Sequence, residues 1–465
     1  MSAASSVAVA RARAGEPFRT SVTGEPRAPL CGMGVCYECR VTLAGEAHQL
    51  ACMLPDDAPP APAPRRHEAC DVLVVGGGPA GLAAARAAGA SGADVLLVDE
   101  HPTLGGPIWR AAPERVRAPA RVCPGARVVA ATPDGLLVED RAGAIVVRFR
   151  RLVVATGARE LFLPFPGWTL PGVLGAGGLQ LLAKGGWPVA GKRVVVAGTG
   201  PLLRAAAAAL RRRGAHVAGV AELAPRGRIA RFGLGLARHP AKLAHAAALS
   251  ATLAGVPIWT EAWVRRAHGD GHVTAVDVAV RGRTRTIACD LVAVGFGLVP
   301  AIELPLLLGC GVAGGRVVVD DLQATTVPGV YCAGEATGIG GVDKAVVEGE
   351  IAGLAASGHD ADARRRFGRR RRAHAFAAAL AACFPPPRDW AAVVDDDTIV
   401  CRCEDVRWGA VRAAADLRSA RLHTRLGMGA CQGRVCGAAL AVLRGFPPGA
   451  VRPPLAPARL ETLTR

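Results

Sequence analysis

Eight of the fourteen cysteines fall into two tight sets whose spacing limits the chemistry open to them. Near the start, Cys31, Cys36 and Cys39 run as Cys-x4-Cys-x2-Cys in CGMGVCYEC, and Cys52 follows alone. That is the plant-type spacing for a [2Fe–2S] cluster, whose irons are held by thiolates. Gly32 and Gly34 let the backbone run close to inorganic sulfide and aim N–H groups at it. Cys36-x2-Cys39 alone would also fit zinc. Near the end, Cys401-x-Cys403 is joined by Cys431-x4-Cys436 within GMGACQGRVCG. Two thiolate pairs can close a second [2Fe–2S] cluster or a tetrahedral zinc site. Cys-x-Cys is tight for zinc, so the cluster is the first reading and structural zinc the alternative. Cys70, Cys123, Cys289, Cys310, Cys332 and Cys383 lie too far apart to form a redox pair, and are expected to be small buried apolar residues.

A second chemistry sits between these sets. Asp71–Gly81 reads DVLVVGGGPAG, an apolar strand running into glycines and then into the helical LAAARAA. Gly76 permits the tight turn and Gly78 the approach of a pyrophosphate. Gly81 lets helix and strand pack closely. Pro79 and Ala80 open the helix, whose free N–H groups and dipole face the phosphates. Asp99 ends the next strand, VLLVD, 23 residues after Gly76, placed for ribose hydroxyls with Glu100 beside it. Three more segments favour FAD: HPTLGGPIWR with Gly106, LVVATG ending in Ala155, Thr156 and Gly157, and GVYCAGE ending in Gly334 and Glu335. Here the chain resembles the two-dinucleotide-binding flavoproteins, in which the ATG strand and a late Gly-Asp strand flank the flavin. The resemblance gives the late acid the ribityl chain; Glu335 stands where Asp is usual. A second, weaker fingerprint is VVVAGTGPL, with Gly198, Gly200 and, after the next strand, Glu222. Leu203 replaces its third glycine, which should make the helix stand off the strand. This site could take NAD(P)H, an adenine nucleotide or nothing.

The elements that must position these groups follow. Val72–Val75, Val95–Val98, Leu152–Val154, Val194–Ala197 and Leu291–Val294 are apolar runs without alternation, as buried parallel strands are. The expected organisation is a ferredoxin-like module over 1–58, a linker over 59–69 containing PPAPAPRR, and an FAD-binding domain over 70–187 and 301–360. A second dinucleotide-binding domain takes 188–300, a basic, Pro-rich linker 361–397, and a second cluster module 398–465. Only 30 residues precede Cys31, and Met1–Ala14 shows no pair of strands, so the first module is expected to be shortened.

Composition narrows the class. The formal net charge of +18 comes almost wholly from Arg spread along the chain, with few aromatics interleaved. It therefore reads as a basic surface rather than a nucleic-acid site. RRRFGRRRR at Arg364–Arg372 reads as a solvated helix face or linker. No secretory leader and no 18-residue apolar run is visible, so a cytoplasmic location without a transmembrane segment is expected. The histidines form no metal-ligand pair, no acid–base constellation appears, and Lys344 reads as a packing or surface residue, with stabilisation of flavin charge the alternative that the flavoprotein resemblance implies.

PLCGMGVCYECRVT and HQLACM resemble the ferredoxin-like small subunits of hydrogen cyanide synthase, opine oxidases and D-hydroxyproline dehydrogenase. VLVVGGGPAGLAAA, DEHPTLGGPIWR and CAGEATGIGGVDKAVVEGEIAG resemble the large flavin subunit of those complexes. CRCEDV and TRLGMGACQGRVCG resemble its bacterioferritin-ferredoxin-like [2Fe–2S] domain, found also in the alpha subunit of heterotetrameric sarcosine oxidase. The resemblance implies an α/β flavoprotein core between a β-grasp ferredoxin-like segment and a small helical cluster domain. It also implies FAD, two [2Fe–2S] clusters and a separate D-amino-acid-oxidase-like flavin subunit that oxidises an amine or imino acid. This chain would then carry electrons to an acceptor the sequence does not name. The rivals are a stand-alone NAD(P)H-dependent flavin and iron–sulfur reductase, and a zinc-stabilised scaffold with decayed nucleotide sites.

Overall fold

The computed structural model describes residues 6–43, 45–55, 65–110, 112, 115–116, 121–387, 389–447 and 449–464. The Pro-rich part of the expected linker, 59–64, lies outside them. The chain folds as two discontinuous units. The first joins Met1–Asp56, Glu160–Gly297 and Ala379–Gly449; the second joins Asp57–Arg159, Leu298–Ala378 and Ala450–Arg465.

The second unit is built on a seven-stranded sheet. Five strands are parallel, in the order Arg121–Pro124, Val95–Asp99, Arg66–Val75, Ala144–Val154 and Val330–Cys332. Ala144–Val154 is long enough to serve twice. Its first half pairs antiparallel with Gly135–Glu139, and its second half runs parallel to Val330–Cys332. Neighbouring side chains on one strand enter different cores: Val72 and Val74 pack with the helices, Leu73 and Val75 on the opposite face. Burial on both faces is what the unbroken apolar runs predict for a parallel sheet. Register places Val75 opposite Val98 and Val154, and Val154 opposite Cys332. Four strands therefore end at one edge, which is where ligands bind in open α/β sheets.

Two helices cover one face of this sheet, Pro79–Ala90 and Val342–Ala356, and they touch backbone to backbone. A Cβ on Gly349 would lie 2.1 Å from the Ala80 carbonyl oxygen, and one on Gly353 2.2 Å from that of Ala84. The arginine run lies on the helices Asp360–Arg364 and Phe367–Cys383. Arg366 and Arg369 pair with Glu350, and Arg370 with Asp321. Residues 450–465, counted from sequence with the second cysteine module, pack in this unit: Leu455 N–H donates to the Val129 carbonyl, and Arg459 pairs with Glu139.

The first unit holds a five-stranded parallel sheet in the order Val173–Gly175, Leu291–Gly295, Arg193–Gly198, His216–Glu222 and Ile258–Thr260. A three-stranded antiparallel sheet, Ala262–His268, Ala275–Val280 and Arg283–Ala288, adjoins it. The cysteine segments belong to this unit. The first opens with the helix Val7–Ala14, followed by the hairpins Arg19–Thr20 with Pro26–Arg27 and Arg40–Leu43 with Glu46–Leu50. Short paired strands thus precede Cys31 after all, beyond the segment where none was legible. The second segment has the strands Ile399–Cys401 and Val406–Arg407 and the helices Leu417–Thr424 and Cys436–Arg444. Among the described residues no helix is long and apolar enough to cross a membrane.

The close helix pair generates an expectation. Gly353→Ala should lower stability by about 1–3 kcal/mol in denaturant unfolding, because a methyl group there meets backbone. Gly227→Ala, on a helix with open space around it, should leave stability unchanged or raise it.

Candidate redox centres

The first four thiols gather around the loop between the two hairpins. Cys31, Cys36, Cys39 and Cys52 are 1–5% exposed. Cys39 and Cys52 Sγ lie 3.2 Å apart, and Cys31 pairs with Cys36. Backbone N–H groups fan onto the sulfurs: Met33 and Cys36 donate to Cys31 at 3.4 Å, and Glu38 to Cys36 at 3.5 Å. Gly32 and Gly34 are left-handed, at φ +62° and +77°, which turns those N–H groups inward. Burial raises a thiol, yet hydrogen bonds from Cys36 and from Met33 N–H hold Cys31 below the ordinary thiol range. Burial and the Cys31 partner push Cys36 well above it.

The second four converge from separate elements. Cys401 pairs with Cys436 and Cys403 with Cys431, and all four are buried. The Cys436 hydrogen bond lowers Cys401, and the Cys403 hydrogen bond lowers Cys431, each against burial. Cys403 and Cys436 are raised as the proton-keeping partners, with burial adding to the effect. A Cβ on Gly429 would lie 2.3 Å from Cys403 Cβ, so a glycine is needed there. In both sets the thiols meet two and two. Among the described residues, no three or more His, Cys, Asp or Glu side chains are gathered closely enough to form a group that could hold a metal ion. Two pairs of soft thiolates with N–H donors around them fit a two-iron cluster.

At the sheet edge of the second unit the dinucleotide residues come together. Gly76 sits at φ +108°, and a Cβ there would lie 2.2 Å from the Ala155 carbonyl oxygen. A Cβ on Gly81 would fall 1.7 Å from Gly76 O, whereas Gly78 faces open space. Glycine is thus required for packing at two positions and leaves room for a ligand at the third. Pro79 and Ala80 form the first turn of the helix. Asp99 accepts from Gly77 N–H and, at 2.7 Å, from His101 N–H. Burial lifts its carboxyl to about 6 against those bonds. Glu100 beside it is exposed. Thr156 Oγ1 donates to the Ala301 carbonyl at 2.7 Å, and Gly157 turns the chain at φ +73°. Gly106, also left-handed, closes on Gly78 Cα. These residues fit an FAD pyrophosphate and ribose.

Glu335 is tied to the turn that follows it: its carboxylate accepts from Gly340 and Gly341 N–H at 2.8 and 2.7 Å. Lys344 is buried, donating to the Gly334 carbonyl, to Thr337 Oγ1 and to Glu348 Oε2 at 2.8–2.9 Å. Glu348 also accepts from Gly334 N–H and faces His374 Nε2 at 2.7 Å. This network fixes the turn after the late strand. Sequence reading passed over Glu348, whose i+4 spacing from Lys344 was the available signal.

The second fingerprint is formed too. Gly200 lies at φ +106° with open space around it, and buried Glu222 accepts from Thr199 Oγ1, Gly200 N–H and Ala224 N–H. Leu203, in place of the third glycine, is buried beside Gly295 of the neighbouring strand. A further buried acid, Glu160, accepts from Gly177 and Gly178 N–H at 2.7 and 3.0 Å. Gly178 in turn lies against the backbone of Leu30 and Cys31.

Comparison with known proteins agrees with this geometry. Residues 70–349 match the family described as pyridine nucleotide-disulphide oxidoreductase, and residues 2–58 match the 2Fe-2S iron-sulfur cluster binding domain. The chain is 33% identical to an opine oxidase subunit of Rhizobium meliloti (strain 1021), over 84% of this chain and 97% of that one. It is 32% identical to the HcnB subunit of hydrogen cyanide synthase from Pseudomonas aeruginosa, over 78% and 90%. The alpha subunit of sarcosine oxidase from Corynebacterium sp. (strain P-1) is 30% identical over 63% of this chain and 33% of its own length. In fold, L-proline dehydrogenase from P. horikoshii superposes with a TM-score of 0.73 at 20% identity, over 99% of this chain and 94% of that one.

Two outcomes are expected. Cys36→Ser and Cys431→Ser should each remove about half of the bound iron and leave the rest, read by iron and acid-labile sulfide analysis. Burial pushes the Glu160 carboxyl up to about 7, so the folded chain binds this proton more tightly than the unfolded one. Stability from this group is present on the acid side and is lost as pH rises through about 7. Melting curves of Glu160→Gln should therefore gain on the native chain from pH 5 to pH 8; a constant offset would contradict this.

Proposed function

We propose a function from the premise that this chain belongs to the pyridine nucleotide-disulphide oxidoreductase family and is an FAD-dependent oxidoreductase with a [2Fe–2S] domain. In this proposal it is the electron-transferring subunit of a complex that oxidises an amine or imino acid of the opine, hydroxyproline, glycine or sarcosine kind. The C–H oxidation occurs on a separate D-amino-acid-oxidase-like flavin subunit, and this chain carries the electrons onward. The observation that carries the reading is the joint presence of a formed dinucleotide cradle and two buried sets of four paired thiols. The relatives named above are themselves subunits, of opine oxidase, hydrogen cyanide synthase and sarcosine oxidase.

In this reading each group has a role that the geometry supports. Gly76, Gly78, Pro79, Ala80 and Gly81 take the pyrophosphate, Asp99 the ribose, and Ala155–Gly157 with Gly106 and the Gly334–Glu335 turn line the rest of the FAD site. Cys31, Cys36, Cys39 and Cys52 hold one [2Fe–2S] cluster; Cys401, Cys403, Cys431 and Cys436 hold a second. Bound FAD exchanges electrons in pairs or singly and the clusters singly, so the cofactors supply the redox chemistry. The chain binds and orients them. The other six cysteines do not supply a disulfide centre: all fourteen are free thiols, and burial lifts Cys70 and Cys383 to about 11 and Cys289 to about 12. Thiols so raised are poor nucleophiles. Free thiols in this number suit the reducing cytoplasm, where we place the protein. We keep the domains drawn from sequence as part of this proposal, with two differences from the compact units: 160–187 groups with the second dinucleotide-binding part rather than the FAD-binding part, and 450–465 groups with the FAD-binding part.

A second reading has one observation behind it. Gly200 opens onto free space beside the loop that Glu222 supports, as an NAD(P)H or adenine-nucleotide site requires. Anaerobic absorbance separates the two. The proposal expects the isolated holoprotein to keep its flavin colour with NADH, and to bleach when a D-amino-acid-oxidase-like partner chain and a secondary amino acid are both added. Bleaching by NADH alone within seconds would replace it with the reductase reading.

A further inference from the structure

The two thiol-bearing loops of the first unit meet in a buried ion pair. Glu38 lies between the ligands Cys36 and Cys39, and Arg402 lies between Cys401 and Cys403. Their side chains are 1% and 3% exposed, and Glu38 Oε1 is 3.5 Å from Arg402 Nε. Arg19 closes the junction, donating to Glu38 Oε1 at 3.2 Å and to the Arg402 carbonyl at 3.1 Å. Arg402 is held from behind, donating to the Trp168 carbonyl at 2.8 Å with its guanidinium 5.0 Å above the Trp168 ring. A second buried tie runs alongside. Arg27 meets Asp405 at 2.6 Å, with side chains 1% and 2% exposed, and Thr23 donates its hydroxyl to the same carboxylate at 2.7 Å. A pair so deeply buried is strongly destabilised if one member is lost, so these contacts fix the loops against each other.

The Glu38 carboxylate is thus buried where the two loops meet, and in a low-dielectric interior a charge placed between two sites is felt by both.

We propose that Glu38 and Arg402 join the two iron–sulfur clusters into one relay, in which an electron passes directly between them and the charge on either sets the potential of the other. This rests on the reading that Cys401, Cys403, Cys431 and Cys436 hold a [2Fe–2S] cluster. In the step, one electron leaves the reduced cluster and enters the oxidised one; no bond, proton or leaving group moves. Glu38 and Arg402 are positioning residues, acting through the loops they lock.

The test uses the anaerobically purified holoprotein. Iron and sulfide are counted, and electron paramagnetic resonance spectra are recorded at partial and full reduction. Four irons per chain, with the fully reduced spectrum broadened or split relative to the sum of the separate clusters, is expected. Four irons with a fully reduced spectrum equal to that sum overturns the inference and leaves the second cluster intact. Two irons per chain overturns the second-cluster reading and the inference together. In Glu38→Gln, loss of one buried negative charge should shift both clusters toward reduction by about tenfold, about 59 mV for a one-electron couple. A shift confined to the cluster of Cys31, Cys36, Cys39 and Cys52 contradicts the coupling.

Discussion

Four thiols brought together behind near-complete burial cannot all ionise. Burial disfavours each charge, and each thiolate repels its neighbours. The chain resolves this pairwise, with one sulfur lowered and its partner raised: Cys31 against Cys36, Cys401 against Cys436, Cys431 against Cys403. Metal ions can take the place of the shared protons, because a thiolate ligand must be deprotonated to bind. Folding of the loops and assembly of the centres are therefore one process. The left-handed glycines and the inward N–H groups serve that condition.

The second unit obeys a different constraint, the close approach of backbone to backbone. Gly76 and Gly81 close the strand onto the helix, Gly349 and Gly353 close one helix onto the other, and Gly78 faces open space. The register that ends four parallel strands together turns those approaches into a site. Glu348, with Lys344, Thr337 and His374 around it, keeps the last of the strand ends in place without reaching the open space itself.

What was legible in the sequence is what local spacing encodes. The cysteine intervals, the Gly76–Gly81 turn, Asp99 at a strand end and the apolar parallel strands need only a few consecutive residues to declare themselves. What was hidden depends on residues far apart in the chain. The interleaving of both units cannot be read from composition, since Glu160–Gly297 is an excursion between two halves of the other unit. The burial of Leu203 depends on residues of other elements, so Leu203 looked like a defect in the fingerprint. The arginine run is a largely solvated helix face, as its sequence suggests, and the pairing of Arg366, Arg369 and Arg370 with Glu350 and Asp321 is what the sequence did not declare. Glu38 and Arg402, opposite charges each set between two ligands, carried a faint signal that only the fold makes meaningful.

The central claim is that one chain holds a flavin and two one-electron centres. An anaerobic reductive titration of the holoprotein, followed by absorbance, measures this directly. The account predicts about four electron equivalents per chain, two at the flavin and one at each cluster. An end point at two, as flavin alone would give, or at three, as flavin with one cluster would give, would contradict it.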